Sequence, residues 1–372
     1  MTLATEPVST ATAATTTTSG SYEALVQRAI ALHIGRIDRY QVTVPDYVSF
    51  RDQGFLIVRG LVPPEQIAEL RQHTEDLMQG RLPEQRGQLA CDEQGRPLVK
   101  SGVDVQDLQA PPPGLTPEQK ADFWLRIHML HQKLELHERY LLHPRVLDVL
   151  EGLIGPDVLA MQSMLFLKGP GKPGQGYHQD SYYIPTRPDT LCGAWIAIDD
   201  VDEENGCMWF TPGSQHEPIY PPQDGYGYGD ERLKNIPHIR GVSDTDESKN
   251  DLTTVAAKYA GREICAPMKA GDVAFFGGHV LHRSHTNRSQ NRFRRSFVGH
   301  YCNARSYTNW GADWAGTLVD LVSGSTNGAQ ILARGDTHLA FARPRFGTPC
   351  AAFLPKELRQ QKPAGQSSMM GM

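Results

Sequence analysis

Apolar residues follow a helical spacing in the first part of the chain. Up to about residue 156 they recur every three or four positions among charged residues, and proline stands near the start of each run, where it suits the first turn of a helix. The pattern predicts helices that begin after Pro63, run from Pro117 to Leu142 and run from Pro144 to Ile154. We expect the first part of the domain, about residues 21–156, to be mainly helical.

From Val158 the pattern changes to short runs of β-favouring residues. The runs are VLAMQSMLFLK, LCGAWIAI, CMWF, DVAFF and RSFVGHY, and turn-forming residues separate them. Asn205-Gly206 stands between the second and third runs and predicts a hairpin there. Many short strands with such turns favour an all-β core, a double-stranded β-helix or jelly roll of the cupin type, over about residues 157–303. Helices, mainly from the N-terminal third, would flank this core.

Three segments have the composition of tails or loops. Residues 1–20 are rich in Thr and Ala and are expected to form a disordered tail, and residues 362–372 a flexible one. Residues 221–258 are polar and interrupt the strands, which predicts a lid-like insertion because long unstructured loops are usually functional or disordered. The rest of the chain, residues 21–361, is predicted to be a single domain with a C-terminal extension over residues 304–361.

Composition and charge argue against several classes of protein. The 372 residues carry a formal net charge of −5, whereas nucleic-acid-binding proteins usually have a basic excess. No apolar run approaches the roughly 20 residues that span a bilayer, so no membrane association is expected. The six cysteines are scattered without a C-x-x-C pair, which argues against a disulfide framework or a structural zinc site. With neither a secretory leader nor an S-K-L ending, a cytoplasmic location is expected.

The candidate chemistry begins at His178 and Asp180, which are separated by Gln179. In an extended strand, residues two apart point to the same face, so the imidazole and the carboxylate would project together. Iron(II) oxygenases use two histidines and one carboxylate on one side of the metal and leave the other side open. An isolated H-x-D tripeptide is weak evidence, because a surface pair at a strand end has the same pattern.

A third metal ligand is expected from the segment that follows the DVAFF run. It contains His279, His282 and His285, and periodicity alone leaves all three open. The two that do not bind the metal would be packing or surface histidines, or substrate contacts. We expect several other histidines to be polar core or surface residues, among them His216, His238 and His300.

Four motifs occur in a characteristic order between Val42 and Tyr301. They are GFLIVRGLV, then AMQSMLFLKGPG, then YHQDSYYIPTRPDTLCGAWIAIDDVDEENGCMWFTPGSQH, and finally GDVAFFGGHVLHRSHTNRSQNRFRRSFVGHY. Together they resemble the phytanoyl-CoA dioxygenase family of iron(II)- and 2-oxoglutarate-dependent oxygenases. The resemblance covers well over half of the chain. It implies iron(II) as the metal, with 2-oxoglutarate and O2 as co-substrates.

The resemblance also implies roles for individual residues. The family's distal histidine stands in a Leu-His-x-Ser-x-x-Asn pattern, which here assigns the third metal position to His282. An arginine in the RRSFVGHY strand anchors 2-oxoglutarate, because a guanidinium binds a carboxylate through two parallel hydrogen bonds, and the alignment assigns this role to Arg294. Arg294 follows His282 by one residue more than is usual in the family, which leaves Arg292 and Arg295 as alternatives. Strand alternation disfavours Arg295 if Arg294 faces inward.

The resemblance further places four residues beside 2-oxoglutarate: Gln162, Met164, Trp195 and Ser284. An amide, a hydroxyl and an indole suit a bound dicarboxylate. For Met164 and Trp195, ordinary packing in the core is an equal alternative.

The activity that the resemblance implies is hydroxylation of a small-molecule metabolite, with succinate and CO2 as co-products. Related halogenases have a small residue in place of the metal-binding carboxylate, so Asp180 favours hydroxylation over halogenation. No basic cluster suited to CoA phosphates stands out, which favours a small metabolite over a phytanoyl-CoA-like acyl substrate. A non-catalytic cupin-like binding protein is an alternative, although it would be expected to have lost a ligand. A zinc hydrolase is another, although zinc prefers more nitrogen and sulfur ligands.

Overall fold

The structure is a computed structural model in which residues 36–87, 103–105, 108–221, 229–233, 235–236, 238–239, 251–308, 330–335, 337, 342, 345–346 and 348 are described. The two predicted tails, about half of the predicted lid-like insertion and most of the predicted C-terminal extension lie outside the described residues. Among the helices that are described, none has both the length and the apolar character needed to cross a membrane.

Helices precede and flank the strands. They are α1 (Val44–Gln53), α2 (Pro64–Met78), α3 (Pro117–Phe123), α4 (Glu135–Leu141), α5 (Pro144–Ile154) and α6 (Leu252–Ala257). The strands are β1 (Phe55–Val58), β2 (Val103–Val105), β3 (Trp124–His128), β4 (Val158–Lys168), β5 (Gln175–His178), β6 (Cys192–Ala197), β7 (Met208–Phe210), β8 (Ile264–Ala266), β9 (Val273–Gly277), β10 (His282–Ser284), β11 (Arg294–Asn303) and β12 (Ile331–Arg334).

Two sheets form the core. In the part of the chain that the structure describes, the larger has eight strands in the order β1-β9-β6-β11-β4-β3-β2, with β12 paired to β4, and the smaller has the order β5-β10-β7-β8. Among the described strands, every pair is antiparallel except β2 with β3. The chain crosses repeatedly from one sheet to the other, which is the connectivity of a jelly roll. The predicted fold class is therefore confirmed.

Apolar side chains from both sheets meet between them. Phe55 of β1 stacks on Phe210 of β7 with ring centroids 4.4 Å apart, and Trp195 of β6 belongs to the same buried cluster. The other face of the large sheet is covered by the helices, whose buried leucines pack against residues such as Phe275 and Phe297. The large sheet is thus buried on both faces, which makes its strands rigid supports for residues that point between the sheets.

Two local predictions are wrong. The segment from Pro117 to Leu142 is not one helix, because Trp124–His128 is a strand that pairs with β4. The free edge of β4 supplies hydrogen-bond partners that override the helical spacing. Asn205-Gly206 does form a turn, with Gly206 at φ 79°, but β6 and β7 belong to different sheets. The turn is therefore a corner between the sheets, since local turn residues do not determine which strands pair.

Candidate active site

Two neighbouring strands of the small sheet bring His178 and His282 together. The two residues face each other in the antiparallel register of β5 and β10, and their ring centroids are 4.0 Å apart. Asp180 follows β5 directly, and the extended backbone of Gln179 turns its carboxylate to the same side as the imidazole of His178. The three side chains are buried, and each offers a ligand atom within 4.8 Å of the other two. The structure therefore assembles the predicted triad.

Backbone carbonyls fix the tautomer of both histidines. Nδ1 of His178 donates to the carbonyl oxygen of Gly176 at 2.9 Å, and Nδ1 of His282 donates to that of Val280 at 3.0 Å. A carbonyl only accepts hydrogen bonds, so the proton lies on Nδ1 and the Nε2 lone pair is free to bind a metal. Burial is the largest cause that lowers the pKa of His178, to about 3. His178 is thus neutral at physiological pH, as a metal ligand must be.

The carboxylate of Asp180 completes a donor set that suits iron(II). Its Oδ1 atom lies 3.7 Å from Nε2 of His178 and 3.6 Å from Nε2 of His282. Burial by itself would raise the pKa of Asp180, but the neighbouring histidines hold it well below its usual value. Two neutral imidazoles and one ionised carboxylate are the donors of the non-haem iron(II) facial triad, so the residues present fit this metal.

His300 of β11 also reaches the carboxylate of Asp180. Its Nε2 atom lies 3.1 Å from Oδ2 of Asp180, whereas His178 and His282 lie near Oδ1, and its side chain is buried. His300 was expected to be an ordinary core or surface residue, and its contact with Asp180 was not predicted. The available signal was its even spacing from Arg294 in one strand, which places both residues on the same face.

Arg294 points between the sheets, whereas the two neighbouring arginines point outward. Arg295 is bound to Asp199 and Glu75, and the more exposed Arg292 is bound to Asp202 and Glu204. These two guanidinium groups already have carboxylate partners. The inward arginine is therefore Arg294, which agrees with the alternation predicted for β11.

The guanidinium of Arg294 is buried without a counter-ion among the described residues. Its Nε donates to the carbonyl oxygen of Gly206 at 3.0 Å, and the guanidinium carbon lies 5.5 Å from the ring centre of Trp195 and 5.8 Å from that of Phe166. Burial lowers the pKa of Arg294 to about 10, so the group stays charged at neutral pH. A buried cation of this kind calls for an anionic ligand.

The other predicted co-substrate residues divide between the two ends of the site. The hydroxyl of Ser284 accepts from Lys168 Nζ at 3.3 Å and from the backbone N–H of Gln175 at 3.2 Å. Met164 and Trp195 lie on either side of Val298 of β11, and Met164 packs against the buried cluster between the sheets that contains Trp195. Gln162 faces His300 across the register of β4 and β11, so it lies at the metal end of the site and away from Arg294.

Sequence reasoning missed Arg126 of β3. The register pairs it with Phe166, and paired residues of antiparallel strands share a face, so Arg126 projects to the side that carries Arg294. Its charge makes a further, smaller contribution to the low pKa of His178. The segment was predicted to be helical, and this hid the strand alternation that could have found the residue.

The two histidines that competed with His282 lie outside the triad. His279 donates through Nδ1 to the carbonyl oxygen of Glu217 at 2.7 Å and pairs through Nε2 with Asp189. The ring of His285 packs edge-on against Trp209, with centroids 5.4 Å apart. Neither ring is part of the group of potential metal ligands, in agreement with the assignment of His282.

A family model and the sequences of known proteins identify the same family. The family model described as Phytanoyl-CoA dioxygenase (PhyH) matches residues 50–296. "Phytanoyl-CoA dioxygenase domain-containing protein 1" of Danio rerio is 28% identical over 281 residues, which are 67% of this chain and 86% of that protein. "Phytanoyl-CoA dioxygenase, peroxisomal" of Homo sapiens is 27% identical over 274 residues, which are 72% of this chain and 70% of that protein.

Solved structures with a similar fold include the carbocyclase SnoK from nogalamycin biosynthesis, described as non-heme and alpha ketoglutarate dependent. Its TM-score is 0.49 at 19% identity, with 72% of this chain and 88% of that chain covered. EctD from S. alaskensis, solved with 2-oxoglutarate and 5-hydroxyectoine, has a TM-score of 0.47 at 16% identity. The match covers 74% of this chain and 80% of the EctD chain.

Proposed function

Because the chain belongs to the phytanoyl-CoA dioxygenase family of iron(II)- and 2-oxoglutarate-dependent oxygenases, we propose that it hydroxylates an unactivated C–H bond of a small-molecule metabolite. Succinate and CO2 would be the co-products. The observation that supports this most directly is the buried triad of His178, Asp180 and His282, which lies in the same inter-sheet space as the uncompensated guanidinium of Arg294.

The three triad residues would hold iron(II). When bound, iron(II) with 2-oxoglutarate and O2 supplies the oxidising chemistry, whereas the protein positions the reactants. His178 and His282 present Nε2 because their Nδ1 protons are engaged by backbone carbonyls. Asp180 provides the negative charge that such a site needs, and its low pKa keeps it ionised at neutral pH.

Arg294 would bind the carboxylate of 2-oxoglutarate that is distant from the metal. Its guanidinium has one N–H committed to the carbonyl oxygen of Gly206, and the described residues supply no carboxylate to the rest of the fork. Trp195 and Phe166 flank the group and keep water away, which strengthens a hydrogen bond to an anion. Ser284 and Met164 would line the same pocket, and Gln162 would lie nearer to the metal.

Asp180 also supports hydroxylation over halogenation. A halogenase of this type needs a small residue at this position so that a halide can bind, and here the position holds a carboxylate that is fixed by His300. The substrate would enter near Tyr183, a half-buried residue whose ring is 6.3 Å from that of His178. A phytanoyl-CoA-like acyl substrate remains the second candidate, because the human relative is named for that activity.

Anaerobic addition of iron(II) and then 2-oxoglutarate tests the proposed cofactor chemistry. A visible charge-transfer band should appear only when both are present, and it should be absent in Asp180→Ala. Zinc binding without any response to 2-oxoglutarate would favour the hydrolase alternative instead.

A succinate-release screen then separates an enzyme from a binding protein. Candidate metabolites and acyl-CoA thioesters are added in separate wells, and mass spectrometry detects a product that has gained one oxygen atom. A substrate should raise succinate formation above the uncoupled background. Formation of the visible band without stimulation by any compound in the panel would favour the non-catalytic alternative.

A further inference from the structure

We propose that His300 is a positioning residue, which holds one oxygen of Asp180 so that the other is presented to the metal. This inference rests on the proposed function, since it assumes that the triad binds a metal. It concerns a residue outside the triad, and it follows from the different surroundings of the two carboxylate oxygens.

The two oxygens of Asp180 have separate partners. Oδ1 is the atom that lies 3.7 Å and 3.6 Å from the Nε2 atoms of His178 and His282, at a separation that suits donors sharing one metal ion. Oδ2 is 3.1 Å from Nε2 of His300. One oxygen of the carboxylate therefore faces the two metal-binding histidines, and the other is held by a hydrogen bond from the protein.

The proton of His300 can be assigned to the nitrogen that faces Asp180. Nδ1 of His300 is buried and has no hydrogen-bond partner among the described residues. An ionised carboxylate oxygen only accepts hydrogen bonds, so the contact with Oδ2 requires a proton on Nε2. His300 then donates Nε2–H to Oδ2 of Asp180.

The fold gives His300 little freedom to move. It lies in β11, a central strand of the large sheet, and it is paired with Gln162 of β4 on one side and with Gly193 of β6 on the other. Its side chain is 6% exposed. A donor on such a rigid strand can fix the rotation of the Asp180 carboxylate, which would otherwise be free to turn and to offer either oxygen or both.

This arrangement has a consequence for the metal. With Oδ2 engaged by His300, Oδ1 would be the oxygen that remains available to hold a metal. Hydrogen bonds to metal-binding groups typically change metal affinity by about 10- to 100-fold when they are removed. We therefore expect His300 to affect metal binding directly, before any substrate or co-substrate is added.

The test measures binding of Mn(II) to the metal-free protein by isothermal titration calorimetry. His300→Leu removes the donor and should weaken Mn(II) binding by about 10- to 100-fold. His300→Gln can still place an N–H near Asp180 and should recover part of the loss. His137→Leu is the matched control: His137 is a fully buried histidine whose ring is 5.6 Å from Phe297 on the opposite face of β11, and its loss should leave Mn(II) affinity unchanged.

Co(II) absorption provides a second readout that a merely structural role would not change. If His300 sets how the carboxylate binds, the visible Co(II) spectrum of His300→Leu should differ from that of the wild type, and that of His137→Leu should not. Melting temperatures of the metal-free variants identify any that fail to fold, and His300→Gln and His300→Asn then carry the comparison.

The outcomes separate this inference from the proposed function. Mn(II) affinity within twofold of the wild type for His300→Leu, with an unchanged Co(II) spectrum, would overturn the positioning role. If neither the wild type nor Asp180→Ala binds Mn(II) or Co(II) at all, the proposed function itself fails. Weakened binding that Gln partly restores supports both.

Discussion

Replacement of Arg294 by methionine should separate co-substrate binding from folding. Arg294 is 4% exposed and its guanidinium has no carboxylate partner among the described residues, so 2-oxoglutarate would be its counter-ion. Truncation of one partner of a buried, hydrogen-bonded charge pair costs about 2–5 kcal/mol, and tenfold in affinity corresponds to about 1.4 kcal/mol. The Kd for 2-oxoglutarate should therefore rise by roughly 30-fold to 4,000-fold.

Although Arg294→Met should weaken 2-oxoglutarate binding, it should leave the stability of the fold unchanged or increase it. A buried charge without a counter-ion destabilises a folded protein, and methionine can occupy the apolar space beside Trp195 and Phe166. The melting temperature of the metal-free protein should thus be equal to or higher than that of the wild type. Arg294→Lys keeps the charge but not the two parallel donors, so its Kd should lie between those of the wild type and Arg294→Met.

Arg295→Met is the matched control, because Arg295 is the next residue in β11 and points to the opposite face. It is bound to Asp199 and Glu75, and burial by itself would lower its pKa, but these ion pairs raise it. Its loss removes both ion pairs of a mostly buried side chain, so the melting temperature should fall whereas the Kd for 2-oxoglutarate should stay within twofold.

The assay is an anaerobic titration of the iron(II) protein with 2-oxoglutarate, followed by visible absorption and accompanied by thermal unfolding of the metal-free variants. The reasoning would be refuted if Arg294→Met bound 2-oxoglutarate within threefold of the wild type while Arg295→Met bound it much more weakly. A large fall in the melting temperature of Arg294→Met would also contradict the view that the counter-ion of the guanidinium is a bound ligand and not a group of the protein.

Three further predictions follow from other contacts. Asp180→Ala should abolish substrate-dependent succinate release, and near-normal turnover would contradict the triad. Burial by itself would lower the pKa of His279, but the contact with Asp189 raises it above its ordinary value of about 6.5. This ion pair therefore stabilises the fold at lower pH, and its contribution is lost as pH rises through the raised pKa. The fall in melting temperature caused by His279→Gln should be larger at about pH 5.5 than at about pH 8.5, and an equal fall at both pH values would refute this prediction. The Sγ atoms of Cys207 and Cys265 are 3.2 Å apart, so glutathione disulfide should oxidise the pair to a disulfide and release two molecules of reduced glutathione. The reaction should begin at the more exposed Cys265 and proceed slowly, because burial raises the pKa of Cys207 to about 12. Peptide mapping without reductant should find this disulfide, and its absence after prolonged oxidation would contradict the proximity of the two thiols.

The jelly-roll class and most of the triad could be predicted because they depend on local sequence. Short β-favouring runs with turn residues between them mark the strands, and the strand period of two puts His178 and Asp180 on one side. The same period within β11 separated Arg294 from Arg295, and the structure places the two on opposite faces. The resemblance to a known family, not periodicity, selected His282 among three histidines.

The choice of strand partners depended on the tertiary structure. The helical spacing from Pro117 to Leu142 gave no sign that β3 would pair with the edge of β4, and this pairing is what turns Arg126 toward the site. Asn205-Gly206 signalled a turn, but whether a turn joins two strands of one sheet or leads to the other sheet is decided by distant partners. Such pairings join residues far apart in the chain, and no local pattern records them.

The sequence by itself therefore determined the residue types of the site and the strands that carry them, because strand alternation is a property of the local backbone. Only the tertiary structure decided which groups meet across the two sheets: His300 with Oδ2 of Asp180, and Arg294 with the carbonyl oxygen of Gly206 and with no carboxylate among the described residues. The physical reason is that a hydrogen bond or an unpaired buried charge depends on the distance between atoms that belong to different strands, and this distance is fixed only when the two sheets pack together.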